Sequence, residues 1–435
     1  YKALVRKLDA TDFTGYDAES GNARVLALVR EGEPVERAEE GQEIELFLDR
    51  TPFYAESGGQ IGDTGVIRTE TGIMEVGDTQ FALPGVHGHR GTVTAGHIAV
   101  AQDAEMSIAA TRRERIRKNH TGTHVLHWAL REVLGEHVHQ EGSLVADNRL
   151  RFDFSHYSAV EPDELLGIET AVNQRVVENA MVSTIETSKE EAERMGALAF
   201  FGDKYGDRVR VVKTRDYSTE FCGGTHVPTT GQIGPLVLVS EGSVAANTRR
   251  VEALTGVAGY EHLIAIRNRL RETASILRVQ EGSVVDAARG LSLRLKDQEA
   301  RIAEFEAQAR SDVAGRIMDR ADDIDGKTLV VVNEPGLAAD DLRALAFQIR
   351  DRVKSGVGVL GSNSGGKAAL IGFATDDLVA GGLSAGEIVA AAARVVGGGG
   401  SRDPQLSQAG GPNGDEIEAA LEAARAAAME ALRGA

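Results

Sequence analysis

The chain has 435 residues, 42% of them hydrophobic, so it can bury sizeable cores and is long enough for about two to four domains. Its 48 basic and 66 acidic residues leave a formal charge of −18, which excludes capture of polyanions by a global field and confines any nucleic-acid contact to local patches. No run approaches the roughly 18–20 apolar residues of a membrane span, the start lacks the order of a signal peptide, and one cysteine cannot make an internal disulfide. A cytoplasmic chain without membrane contact is expected. Because residue 1 is Tyr rather than Met, a piece of a longer protein is expected too.

Residues 1–107 read as β structure, with alternating runs such as ARVLALV (23–29), EIELFLD (43–49) and TGVIRTETGIMEV (64–76) punctuated by Gly, Pro and Asp. A small barrel is the natural closure. Within 108–255, HVLHWALREVLG and PDELLGIETAVNQRVVENA have helical periodicity, whereas SLVADNRLRFDFS and DRVRVVKT read as strands, an α+β unit. The basic cluster RRERIRK (112–118) stands just before the first of those helices. Residues 256–325 form long charged helices with a thin apolar stripe through Leu295, Ile302 and Phe305, which fits a helical hairpin or coiled-coil arm. From 326 to 435 strands alternate with helices (TLVVV, DDLRALAFQIRDRV, AALIGFA, AGEIVAAAARVV), a small α/β domain. Its segment GGGGSRDPQLSQAGG (397–411) is too rich in glycine to read as regular structure.

Two places concentrate chemistry. In NHTGTHVLH (119–127), His120 and His124 lie one helical turn apart on one face, with His127 near the same stripe and Leu126, Ala129, Leu130, Val133 and Leu134 on the anchoring side. In TEFCGGTHV (219–227), the only cysteine, Cys222, precedes His226 by four positions. A lone cysteine is a buried small side chain, a nucleophile or a metal ligand. Three imidazoles with one thiolate make the nitrogen and sulfur set that favours tetrahedral Zn²⁺ over Mg²⁺ or Ca²⁺. Gly223 and Gly224 let the backbone turn around an ion.

TPFYAESGGQIGDTG (51–65), NHTGTHVLH, QEGSLV (140–145), RFDFSH (151–156), EFCGGTH (220–226), TRRVEA (248–253) and the Gly-rich segment together resemble the C-terminal half of alanyl-tRNA synthetase, the editing domain followed by the C-Ala domain. The free-standing AlaX proteins and the editing domain of threonyl-tRNA synthetase share the metal motifs. The class II aminoacylation domain has no counterpart here, so no alanine activation is expected. The resemblance implies an α+β fold in which a small barrel joins a zinc-containing editing core, followed by the helical arm and the C-terminal α/β domain. It implies hydrolysis of Ser-tRNA(Ala) and Gly-tRNA(Ala), a tRNA(Ala) partner rather than DNA, and a homodimer formed through the C-terminal region.

Residue by residue, the resemblance assigns zinc to His120, His124, Cys222 and His226, and a substrate-pocket role to Gln140. Glu220 would position water or orient a ligating histidine, and Thr123 and Thr225 would offer hydroxyls to a seryl side chain. Gly58, Gly59 and Gln60 would lie near the editing cleft. Arg112, Arg113, Arg117, Arg249, Arg250 and Arg402 would meet RNA. Four protein ligands normally mark a structural zinc, so the competing reading is a non-catalytic tRNA-binding and dimerisation module.

Overall fold

The computed structural model describes residues 5–199 and 206–434. Residues 1–4 of the expected barrel segment and 200–205 of the expected core lie outside the described residues. The chain divides into two compact units, residues 1–273 and 274–435.

The first unit opens with a six-stranded barrel: β1 (Ser20–Arg30), β2 (Glu43–Leu48), β3 (Gly65–Thr69), β4 (Gly72–Leu83), β5 (Val86–Ala99) and β6 (Asp103–Ile108). The order is β6-β3-β4-β5-β2-β1, and β6 pairs back onto β1, so these strands close on themselves. Strand β6 shows why: Ala104, Met106 and Ile108 point inward while Asp103, Glu105 and Ser107 point out. Register shifts along β4–β5 let these long strands curve around a core of Leu46, Phe53, Ile67, Met74 and Met106.

Helix α1 (Ala110–Leu134) follows without a break. The basic cluster therefore forms its first turns rather than a segment before it. Its apolar stripe, Val125, Leu126, Ala129 and Leu130, packs on Phe152 and Phe154 of a four-stranded antiparallel sheet, whereas Val133, expected on that stripe, is exposed. The sheet order is β7 (Gln140–Val145), β8 (Leu150–Ser155), β13 (Thr248–Leu254), β12 (Val237–Ala245). Helix α2 (Pro162–Val177) covers the same core and starts with a Glu161/Glu164 capping box and Pro162 in its first turn. A three-stranded sheet, β9 (Val182–Ser188), β10 (Arg208–Thr214) and β11 (Ser218–Phe221), ends immediately before Cys222. Short helix α3 (Lys189–Arg194) follows β9, and α4 (Gly256–Leu277) contains the division between units.

In the second unit, the 35-residue helix α5 (Val284–Met318) leaves Leu295, Ile302 and Phe305 exposed. A six-stranded sheet follows: β14 (Asp322–Ile324), β15 (Lys327–Asn333), β16 (Gly356–Ser364), β17 (Lys367–Ala374), β19 (Leu406–Gly411) and β18 (Gly399–Gly400), in that order, with β15–β16 the parallel pair. Helices α6 (Ala339–Arg350), α7 (Asp376–Ala380), α8 (Ala385–Val395) and α9 (Ile417–Gly434) complete the unit. The Gly-rich segment is thus not irregular: its ends pair as β18 and β19, and a Cβ on Gly400 would stand 2.1 Å from Gln408 O. Among the described residues no helix is long and apolar enough to cross a membrane.

Candidate metal centre and its cleft

The end of β11 and the middle of α1 bring His120, His124, Cys222 and His226 together, with one donor atom from each lying within 4.8 Å of all the others. Cys222 Sγ is 3.3 Å from His120 Nε2 and 3.2 Å from His226 Nε2. The far nitrogens of His120 and His226 each lie within hydrogen-bond distance of an oxygen, whereas that of His124 has no hydrogen-bond partner among the described residues. His120 Nδ1–H donates to Gln60 Oε1 at 2.8 Å, His226 Nδ1 and Thr121 Oγ1 are hydrogen-bonded at 3.1 Å, and His124 Nδ1 faces Glu220 Oε2 at 3.5 Å. A proton held on Nδ1 of His120 leaves its Nε2 lone pair facing Cys222 Sγ, the arrangement by which outer partners orient ligating histidines. Burial and then the neighbouring imidazoles hold the pKa of His120 and His226 well below the usual histidine value; burial lowers that of His124 too, against the opposing pull of Glu220. Burial thus favours the neutral, metal-binding form of these rings. Burial pushes the Cys222 thiol up to about 12, so metal uptake must displace its proton. Donor type and spacing fit a tetrahedral zinc ion.

Gly224 is forced by this packing, because a Cβ there would lie 2.0 Å from His120 Cε1. The barrel loop reaches the same place. Gly58 and Gly59 have φ of +57° and +81°, and a Cβ on Gly59 would stand 2.3 Å from Ser143 Oγ. Gln60, wholly buried, accepts from Thr225 N at 2.9 Å and donates to Thr225 Oγ1 at 3.0 Å. Gln60 and Thr225, expected to meet substrate, instead brace the metal donors from behind: their polar atoms are used on each other and on His120. Glu220 is buried as well. Burial raises its carboxyl, but His124 and His127, with hydrogen bonds from His127 and Ser218, outweigh that and leave it ionised below the usual range. Of its two expected roles, orienting histidines matches where it sits.

In front of the donors opens a cleft of about 360 Å³, whose lining includes Tyr54, Gly58, His120, Thr123, His124, Gln140, Ser143, Arg208, Arg210, Cys222 and Gly223. Thr123 and Gln140 both line it. Thr123 Oγ1 donates to Asn119 O at 2.8 Å, and Gln140 Nε2 reaches Ser143 Oγ at only 3.5 Å. Tyr54, Ser143, Arg208 and Arg210, which also line the cleft, were not foreseen. The one legible sign was in β10, where Arg208 and Arg210 alternate with Val209 and Val211 and so share a face.

The basic residues need the largest correction. Arg113 is fully buried: it pairs with Asp63 and donates to Gly15 O (2.7 Å) and Pro52 O (2.9 Å), out of reach of RNA. Arg117 pairs with Glu19 at 2.8 Å, Arg249 holds Glu241 through two bonds of 2.6 and 2.7 Å, and Arg250 holds Asp153 through two of the same lengths. Arg112 donates to Gly62 O at 2.8 Å. Arg402 is exposed.

Three family models match the chain. They are tRNA synthetases class II (A) over residues 1–112, the threonyl and alanyl tRNA synthetase second additional domain over 209–252, and the DHHA1 domain over 325–430. The first covers the barrel and the second contains Cys222 and His226. Together they define a protein of the aminoacyl-tRNA synthetase class. The alanine–tRNA ligase of Acetivibrio thermocellus is 41% identical over 424 residues, 97% of this chain and 48% of its own length. That of Xanthomonas axonopodis pv. citri is 42% identical over 420 residues (96% and 48%), and that of Bacillus subtilis 40% over 409 (94% and 47%). The solved C-Ala domain of Aquifex aeolicus alanyl-tRNA synthetase is 24% identical, with a TM-score of 0.23 over 26% of this chain and 96% of that one. The chain belongs to the alanyl-tRNA synthetase family and spans about half the length of the curated relatives it matches.

Proposed function

We propose that the chain hydrolyses the ester of tRNA(Ala) mischarged with serine or glycine. The observation that carries this reading is the cleft, which places polar Thr123, Gln140 and Ser143 in one cavity with the donors His120, His124 and Cys222. His120, His124, Cys222 and His226 would hold the zinc, which when bound supplies a Lewis-acid centre and fixes the surrounding loop. Thr123 commits its proton to Asn119 O, so its oxygen lone pairs face a seryl hydroxyl as acceptors. Alanine lacks that hydroxyl and cannot satisfy them, a polar discrimination that size alone cannot give. The Gln140 amide, only weakly engaged with Ser143, is free to hold the substrate. Exposed Arg402 and the outer edge of Arg112 support local RNA contact, and the exposed stripe on α5 supports self-association through the C-terminal unit.

The test mixes the zinc-loaded chain with Ser-tRNA(Ala), Gly-tRNA(Ala) and Ala-tRNA(Ala) and follows ester loss beside a Cys222→Ala variant. Rapid loss of the first two, with Ala-tRNA(Ala) spared and the variant inactive, is expected. No loss above the spontaneous rate, with metal and tRNA both bound, would leave the non-catalytic reading that four protein donors also fit. Sedimentation of the chain tests the dimer.

A further inference from the structure

Beside the metal donors, side chains hold the backbone of Cys222, Gly223 and Gly224 almost atom by atom. Arg210 Nη1 donates to Cys222 O at 2.9 Å and to Gly224 O at 2.7 Å, while Tyr16 Oη donates to Gly223 O at 2.7 Å. The two donors brace each other, since the Arg210 guanidinium lies 4.0 Å above the Tyr16 ring. The amides are taken as well: Cys222 N donates to Arg210 O (3.0 Å), Gly224 N to Cys222 Sγ (3.4 Å) and Thr225 N to Gln60 Oε1 (2.9 Å). Among the described residues only the Gly223 amide in this run has no acceptor.

The two glycines also differ. Packing against His120 demands glycine at 224, whereas a Cβ on Gly223 would meet no atom within 4 Å and its φ is not positive. Neither packing nor backbone conformation requires glycine at 223, yet this exposed residue lines the cleft. A bare, pinned backbone with one free donor is what a ligand carbonyl can approach closely.

We infer that the Gly223 amide receives the carbonyl oxygen of the scissile ester, with Arg210 and Tyr16 as the positioning residues that aim it. This rests on the hydrolytic reading above. Water attacks the carbonyl carbon, and the C=O pair moves onto the oxygen, which accepts from Gly223 N–H. Return of that pair breaks the bond to the ribose oxygen, which takes up the proton that the water loses. Thr123 and Thr225 N have committed their protons elsewhere, and the charge developing on the carbonyl oxygen is met by a donor that needs no rearrangement.

Single-turnover deacylation of Ser-tRNA(Ala) tests the inference, with Co²⁺-substituted protein reporting the metal geometry. Gly223→Pro removes the amide and should lower the rate constant about 10²- to 10³-fold, with tRNA affinity within about twofold of the parent and the Co²⁺ spectrum intact. Tyr16→Phe keeps the ring beneath Arg210 but frees the Gly223 carbonyl, and should lower the rate constant about 5- to 30-fold without weakening tRNA binding. Arg210→Gln should lower it further, and Arg210→Lys should restore part of the loss. If proline at 223 prevents folding, Tyr16→Phe carries the test alone. A parent-like rate constant in Gly223→Pro or Tyr16→Phe overturns the inference, as does a loss in Tyr16→Phe fully explained by an altered Co²⁺ spectrum. Absence of turnover by the parent chain would instead remove the hydrolytic reading itself.

Discussion

The interiors of the two units are built from different materials. In residues 1–273 the buried groups include Asp63, Arg113, Asp153, Glu220 and six histidines beside the apolar residues. In residues 274–435 the buried polar side chains among the described residues are Ser362, Thr375 and Ser407, and the core is Val, Leu, Ile, Phe and Ala. A buried charge costs several kcal/mol unless its partners are in place, so the first unit ties its stability to a fixed polar arrangement. That arrangement converges on the cluster of His120, His124, Cys222 and His226: Arg113 and Asp63 join α1 to the barrel loop, and Gln60 of that loop orients His120. The second unit has nothing comparable to hold in place, and folds by apolar packing.

The sharpest way to break this contrast is Arg113→Met. It leaves Asp63 buried without its cation, and the first unit should lose about 3–5 kcal/mol while the second keeps its stability. Calorimetry that resolves the two transitions checks this.

Acid should separate the units next. Burial lowers His87 and His89 to about 4, and His89 is neutral in its contacts, with Nδ1 near Leu46 O and Nε2 near Thr51 Oγ1. Unfolded, both would titrate near 6.5, so below that pH the unfolded state binds more protons. Stability is therefore complete above about 6.5 and falls as pH drops toward 4, by about 2 kcal/mol per histidine at pH 5. The second unit contains no histidine and should lose none of this. Denaturant midpoints at pH 7 and pH 5 decide it, and His89→Leu should flatten the dependence.

Gln60→Met removes the oxygen that fixes His120 without touching a donor atom, and should weaken zinc about 10- to 100-fold in chelator competition. The smallest effect belongs to the second unit. Exposed Arg402→Ala should change stability by no more than about 0.5 kcal/mol, while its tRNA affinity falls and the salt dependence of binding flattens.

What could be read from the chain follows the same division between local and distant causes. The alternation in β6 and the one-turn spacing of His120 and His124 are local, so the barrel strands and the shared helix face of these two histidines were legible. The role of Arg113 was not: a run of five basic residues in seven reads as solvated charge until Asp63 and the carbonyls of Gly15 and Pro52 claim one of them. Glycine misled in a similar way. In β16 and β18 it serves close packing, as at Gly358, where a Cβ would stand 2.4 Å from the Phe373 ring, and such demands come from partners distant in sequence. The clamp of Arg210 on Tyr16 joins two residues that no spacing links.

The most direct test of a first unit organised around one ion is metal content with X-ray absorption on the purified chain. One zinc per chain, with three nitrogen neighbours and one sulfur, and loss of the sulfur in Cys222→Ser, is the expected result. Substoichiometric metal, or a shell without sulfur, would contradict the account.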